Sequence, residues 1–271
     1  MQARAAEAGT GQALTSLVFP AYNPGPRIEQ TWQAVRRFLQ QAPGRWEVLF
    51  VCDGCTDGTP GRLEQLGRAV PGPVRVLSYA PNRGKGYAVR RGLEAAAGQW
   101  RLFTDVDLAY GFDDVLRVAH ALWSGAAVAI ASRTHPDSRV VLPTRLQGYA
   151  YRRYLQGALF TGLARALLPV RQHDTQAGLK GLSADAARLL LPRLRCDGFG
   201  FDCELLTACA CHGLAVAEVP VCLRYEDAAS TTGLSTVGRM VRELLRIRRD
   251  WCRAPVAVPA IPVEPGRREA A

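Results

Sequence analysis

The stretch Trp46-Glu47-Val48-Leu49-Phe50-Val51-Cys52-Asp53-Gly54-Cys55-Thr56-Asp57-Gly58 runs from an apolar, β-favouring segment directly into a polar turn. Residues 46–52 read as a buried strand, and Asp53-Gly54 stops it. The same punctuation recurs on both sides. Upstream, 14–20 is a short apolar run ending at Pro20. It precedes 27–41, where Ile28, Trp32, Val35, Phe38 and Leu39 fall on one helical face. Downstream come a helix over 61–70, a strand over 74–79 and a helix over 87–97 with Gly98 as its C-terminal stop. A strand over 100–105, a helix over 112–124 and a strand over 126–132 follow. Strands alternating with helices predict an α/β fold, a mostly parallel central sheet flanked by helices.

After Arg133 the pattern changes. Residues 149–168 read as a long apolar helix or helix pair, 182–191 and 201–211 as helices, and 215–225 as a last strand. Residues 237–249 form a basic amphipathic helix with Val237, Met240, Val241, Leu244 and Leu245 on its apolar face. The expected organisation is a flexible N-terminus over 1–13, one domain over 14–252 and a disordered tail over 253–271.

Composition narrows the partners without choosing one. The 271 residues carry 34 Lys plus Arg against 24 Asp plus Glu, a net charge of +10. That excess favours phosphorylated ligands, anionic membrane surfaces or nucleic acid. Basic residues are scattered and no nucleic-acid-binding motif appears, so specific nucleic-acid binding is set aside. No run reaches ~18 apolar residues, and residues 1–11 lack the apolar core of a signal peptide, so a cytoplasmic chain with reduced thiols is expected. Cys52 with Cys55 and Cys209 with Cys211 lack the four-ligand spacing of a zinc site and read as small buried thiols. His120, His135, His173 and His212 show no ligand-like spacing.

In a parallel sheet, ligand-binding loops follow the carboxyl ends of the strands. Three successive strand ends here carry charge: Asp53 to Gly58, then Asn82-Arg83-Gly84-Lys85-Gly86, then Asp105-Val106-Asp107. Two carboxylates two residues apart can share one hard divalent cation, which in turn binds substrate phosphates. Glycines in the second loop permit close backbone approach to a ligand, and Arg83 and Lys85 bring positive charge. Neither a P-loop nor a Gly-x-Gly-x-x-Gly after the first strand is present.

Taken in order, these segments resemble family 2 glycosyltransferases. The residues that carry the likeness are Pro20-Ala21-Tyr22-Asn23, the Asp53 and Lys85 loops and Asp105-Val106-Asp107. Ala131-Ser132-Arg133, Asp174-Thr175-Gln176-Ala177-Gly178-Leu179-Lys180 and Phe199-Gly200-Phe201-Asp202-Cys203-Glu204 narrow it. They resemble the dolichyl-phosphate glucosyltransferase and dolichyl-phosphate mannose synthase branch. The resemblance implies a GT-A fold, with 14–133 as the nucleotide-sugar half and 134–252 as the acceptor half. It implies that Pro20, Tyr22, Asn23, Asp53, Lys85 and Asp105 bind the nucleotide-sugar, Asp53 through the base. Asp105 and Asp107 would hold Mg²⁺ or Mn²⁺ on the diphosphate. Arg133 and Arg145 would bind the acceptor phosphate, and Asp174 and Gln176 would line the same site. Asp202 and Glu204 fall where other family members carry the acceptor base. Cys52 replaces the first aspartate of the family's Asp-Asp-Gly-Ser. Ala109 stands where mannose synthases often place a glutamine, which argues against the mannose branch.

The function implied is inverting transfer of a hexose, glucose favoured, from a nucleotide-sugar, UDP over GDP, to polyprenyl or dolichyl phosphate. A phosphate monoester, with its second pKa near ~6, attacks without a strong base. The enzyme would work peripherally on the inner face of a membrane, through its basic helices. A soluble hydroxyl acceptor is the alternative, and it would make Asp202 or Glu204 essential.

Overall fold

The computed structural model describes residues 13–69, 73–141, 143, 147–224 and 234–252. The flexible terminus and tail expected from sequence, and Arg145, lie outside these residues, apart from Ala13. The first half alternates as the sequence indicates: β1 (Leu14–Ala21), α1 (Arg27–Gln41), β2 (Arg45–Asp53), α2 (Thr59–Ala69), β3 (Val74–Tyr79), α3 (Lys85–Ala95), β4 (Trp100–Phe103), α4 (Phe112–Trp123) and β5 (Val128–Ser132). The second half contains β6 (Arg139–Val141), α5 (Gln147–Leu167), β7 (Lys180–Ser183), α6 (Ala184–Leu190), α7 (Phe201–Cys211), β8 (Val216–Pro220), β9 (Cys222–Arg224) and α8 (Leu234–Cys252).

Seven strands form one sheet in the order β3-β2-β1-β4-β7-β5-β8, and β6 pairs with β9 in a second, two-stranded sheet. All partners in the main sheet are parallel except β7, which runs antiparallel between β4 and β5. Successive strand residues face opposite sides. Val18, Leu49 and Val51 pack with α3, α7 and α8 on one face. Leu17, Phe19 and Phe50 pack with Ile28 and Trp32 of α1 and Val115 and Val118 of α4 on the other. The strand order reverses between β2-β1 and β1-β4, which opens a crevice at the carboxyl ends of β1 and β4.

Several expectations are corrected. The helix expected over 182–191 is present but starts later, as α6 from Ala184, and the residues before it, Lys180–Ser183, form an unexpected strand, β7. Ser183 caps α6 by accepting from the Ala186 N–H, which ends the strand and starts the helix at one residue. The strand over 215–225 is two strands in two sheets. Pro220 ends β8, having no N–H to continue the ladder, and the chain crosses to β6 after Val221. Helix α3 ends at Ala95, so Gly98 is not its stop. Gly98 instead lets the backbone close on Ser16, whose Oγ accepts from the Gly98 N–H at 2.8 Å. In α8 the buried face is Leu244, Ile247 and Trp251, while Leu245 is 51% exposed. Spacing of three and four centres the stripe one residue earlier than Leu245.

The glycines of the 82–86 loop serve the protein's own packing. A Cβ on Gly84 would strike the Asp197 carbonyl, and one on Gly86 would lie 2.6 Å from both the Cys196 oxygen and the Phe201 Cβ. The close approach expected toward a ligand is made to the 196–201 segment instead. Gly86→Ala therefore loses stability by about 1–3 kcal/mol, despite alanine's better helix propensity, because backbone cannot yield to the methyl. A urea melt checks this, and an unchanged or raised midpoint contradicts it.

Candidate active site

Loops after β1, β2, β3 and β4 converge at the crevice, and hydrogen bonds between them fix their shape. Pro20 is buried at the end of β1, whereas Tyr22 is 58% exposed. Asn23 adopts a positive φ of 44°, a conformation its short polar side chain tolerates. Its side-chain oxygen accepts from the Thr56 N–H at 2.8 Å, and Asp57 accepts from the Gly25 N–H at 2.9 Å. The β1 and β2 loops are thus tied together. Cys55 joins them too, its Sγ bonded to the Ala21 carbonyl at 3.3 Å.

Asp53 is the hub of the next pair of loops. It is buried, and its carboxylate accepts from the Arg83 N–H at 2.7 Å, the Gly84 N–H at 2.9 Å and the Asn82 side chain at 2.9 Å. The residue read from the resemblance as a base contact is therefore also the anchor of the 82–84 backbone. That anchor sets the start of α3, whose first residue is Lys85.

Lys85 Nζ lies 2.6 Å from Asp105 Oδ1. Burial pulls the ammonium's pKa down, but Asp105, Asp202 and Asp107 outweigh burial and hold it above the ordinary lysine value. Asp107 sits two residues on, with its carboxylate accepting from the Ala109 N–H at 3.2 Å. Burial first, then the charge of Asp105, pushes the Asp107 carboxyl up. A carboxylate raised in energy by burial and by its neighbour, with a lysine ammonium already drawn to that neighbour, fits a divalent metal site. Among the described residues no group of three His, Cys, Asp or Glu side chains converges on a metal-sized position. A cation here would complete its shell from diphosphate oxygens and water, the usual habit of Mg²⁺.

Residues of the second half of the chain reach the same crevice. Arg133 grips Asp174 in a bidentate pair at 2.6 and 2.7 Å, and its own N–H adds a third bond at 2.9 Å. Burial works to raise the Asp174 carboxyl, but the Arg133 hydrogen bonds and charge hold it below the usual range. Gln176 bonds back to Asp174 through its N–H at 3.2 Å and reaches Cys203 Sγ at 3.5 Å. Gly178 sits so close to the Asp105 carboxylate that a side chain there would collide with it. The 174–178 loop therefore packs directly against Asp105 in the loop after β4.

The two candidate bases are both committed. Asp202 pairs at 2.6 Å with Lys180, which is fully buried. Glu204 accepts from the Arg195 N–H at 2.9 Å, the Cys196 N–H at 2.7 Å and the Trp251 indole at 3.1 Å. Glu204 thus ties the 195–196 turn to α8. Lys180 is the residue that sequence reading left without a role. A lysine between Ala177, Leu179 and Leu182 is the available signal, since a buried lysine needs a partner.

The other candidates resolve plainly. Cys52, Cys55, Cys209 and Cys211 are free thiols, and burial pushes those of Cys52 and Cys209 up to about 12. His212 is buried against the Ala208 carbonyl, and His173 lies 3.2 Å from Glu218.

The Arg133–Asp174 pair makes a pH prediction. A carboxyl whose folded pKa lies below its unfolded value of ~3.9 adds stability that is complete above that value. It is lost as pH falls through the folded value. Asp174→Asn should therefore cost about 1–3 kcal/mol at neutral pH and progressively less as pH falls below the ordinary carboxyl value and through the lowered folded one. Denaturant melts across that range check it, and a pH-independent difference contradicts it.

Comparison with known proteins gives this geometry a family. Residues 16–187 match the model for glycosyl transferase family 2. The chain is 32% identical over 253 residues to a dolichyl-phosphate β-glucosyltransferase of Drosophila melanogaster, covering 88% of this chain and 74% of the relative. It is 28% identical to the human protein of that name, covering 86% and 74%. Among solved structures, mannosyl-3-phosphoglycerate synthase from Rubrobacter xylanophilus superposes with a TM-score of 0.61 at 20% identity, covering 89% of this chain and 74% of that one. Glucosyl-3-phosphoglycerate synthase from Mycobacterium tuberculosis, in complex with Mn²⁺, UDP and phosphoglyceric acid, gives 0.57 at 20% identity over 92% and 80%. Those two likenesses bear on the fold, which is GT-A. With the family model spanning most of the chain and the Asp105–Asp107 pair at the mouth of the crevice, the protein belongs to glycosyl transferase family 2.

Proposed function

We propose that this glycosyltransferase moves glucose from UDP-glucose to a polyprenyl phosphate of the dolichyl type, with inversion at the anomeric carbon. Residues 14–133 form the donor half and 134–252 the acceptor half. The observation that carries the reading is the state of the two candidate bases. Asp202 is neutralised by buried Lys180, and Glu204 is saturated by three N–H donors. Neither stands ready to take a proton from a hydroxyl. An acceptor that arrives as an anion needs no such base, and a phosphate monoester is one. The names of the relatives point to the same acceptor.

In this reading Tyr22, Asn23 and Asp53 hold the nucleoside, with Pro20 shaping the turn beneath them. Lys85 places its charge beside the diphosphate. Asp105 and Asp107 hold Mg²⁺ or Mn²⁺, the latter being the ion in complex with the solved neighbour. A bound cation offsets the charge that develops on the departing nucleoside diphosphate. Arg133, oriented by Asp174 and Gln176, binds the acceptor phosphate together with Arg145. One phosphate oxygen forms the new bond to the anomeric carbon from the face opposite the leaving group. The bond to UDP breaks and its electron pair leaves with UDP.

The acceptor is a lipid, so the enzyme meets it at the cytoplasmic face of a membrane. Among the described residues no helix is long and apolar enough to cross one. Helix α5 instead exposes Tyr151, Leu155, Leu159 and Leu163 at four-residue steps, a stripe suited to lie against lipid. The test is incubation with Mn²⁺ or Mg²⁺, labelled UDP-glucose or GDP-mannose, and either a polyprenyl phosphate or the matching polyprenol. A labelled glycolipid from UDP-glucose and the phosphate alone is expected. Transfer to the alcohol, or to a water-soluble glycan but not to the phosphate, overturns the reading.

A further inference from the structure

A second cationic site lies away from the donor carboxylates. A cleft of about 320 Å³ opens between α3, the segment after α6 and α8. Arg83, Arg90, Arg195 and Arg246 line it, against Asp197 and Glu94, leaving an excess of positive charge. Asp105, Asp107 and Asp202 do not line it. The volume is at the lower end of small-ligand clefts.

Two of these guanidiniums are held in place before any ligand arrives. Arg90 is only 13% exposed, bonded to the Asp197 carboxylate at 2.6 Å and to the Leu194 carbonyl at 3.2 Å. Arg83 lies 3.8 Å above the Tyr87 ring, with Arg90 5.4 Å from the same ring, and Arg83 stands 3.8 Å from Asp197. Arg195 and Arg246 complete the rim. Arg195 is exposed, with its guanidinium in no ion pair among the described residues, and Arg246 makes a loose 3.5 Å contact with Asp250. Guanidiniums lining one cleft repel one another unless something anionic offsets them: Asp197 serves both Arg90 and Arg83, Glu94 also meets Arg91, Asp250 meets Arg246 only loosely, and Arg195 is left with no ion pair among the described residues. A planar fork donor repeated around a cleft matches phosphate oxygens bidentately.

We propose that this cleft binds a phosphate-bearing anion. The group is either the headgroup of an anionic lipid, met as α8 approaches a membrane, or a free phosphate compound. Its lining also reaches the donor site, since Arg83 belongs to the backbone that Asp53 anchors and precedes Lys85 by two residues.

The test uses the full chain and the double variant Arg195→Ala/Arg246→Ala, two exposed side chains outside the donor site. One arm measures cosedimentation with phosphatidylcholine vesicles, plain or carrying phosphatidylglycerol. The other measures inorganic pyrophosphate binding by calorimetry in EDTA. The expected result is that in at least one arm the double variant binds roughly tenfold or more weakly. Loss with charged vesicles alone identifies the lipid source, and loss with pyrophosphate alone the soluble one. Arg36→Ala/Arg37→Ala removes the same charge from exposed positions on α1. If it weakens binding as much, or if the cleft variant changes neither arm while keeping the wild-type melting temperature, the proposal is overturned.

Discussion

The ion pair between Lys180 and Asp202, 2.6 Å long and shut away from water, is the constraint from which the site's architecture follows. An unpaired lysine at that position would carry a large desolvation cost, so β7 and α7 stay together or the fold fails. Lys180 opens the one antiparallel strand of the main sheet, wedged between β4 and β5. Asp202 sits in the first turn of α7. Joining them brings the 174–178 loop onto Asp105 and places α7 beneath Lys85. Residues after Arg133 are thereby registered against the first half of the chain by charge as well as by apolar packing.

The same pair decides what chemistry the crevice can perform. A family 2 active site offers a carboxylate as base when its acceptor is a hydroxyl. Here one candidate is balanced by lysine and the other holds a turn and the C-terminal helix. What remains at the crevice mouth is a carboxylate pair suited to a cation, a lysine, and an arginine locked by aspartate. Those groups are of the kinds that bind and neutralise phosphates. They suit a reaction in which both the leaving group and the nucleophile are phosphate oxygens.

Sequence patterning made residues 14–123 legible because parallel, largely apolar strands there alternate with helices of clear periodicity. Residues 27–41, 74–79 and 201–211 coincide with the helix or strand observed. The miss at β7 has a physical cause. Four residues, Lys-Gly-Leu-Ser, carry no alternation, and a lysine there reads as surface until its partner is known. The ends of the 215–225 strand were blurred because Pro220 lies inside an apolar run. Asp53, Lys85, Asp105 and Asp107 were legible because they follow strand ends. The engagement of Glu204 by Trp251 was not, since 47 residues separate them and only the packing of α8 brings them together. Likewise, the glycines of the 82–86 loop announce a close approach without saying to what.

The central claim is that Asp105 and Asp107 form a cation site serving a nucleoside diphosphate. The most direct measurement is a calorimetric titration of UDP into the protein with Mn²⁺ and again with EDTA, repeated on Asp107→Asn. Affinity should fall by an order of magnitude or more on removing the cation from the wild type, and the variant should bind weakly and alike in both conditions. Wild-type UDP binding of equal strength with and without the cation would contradict the assignment.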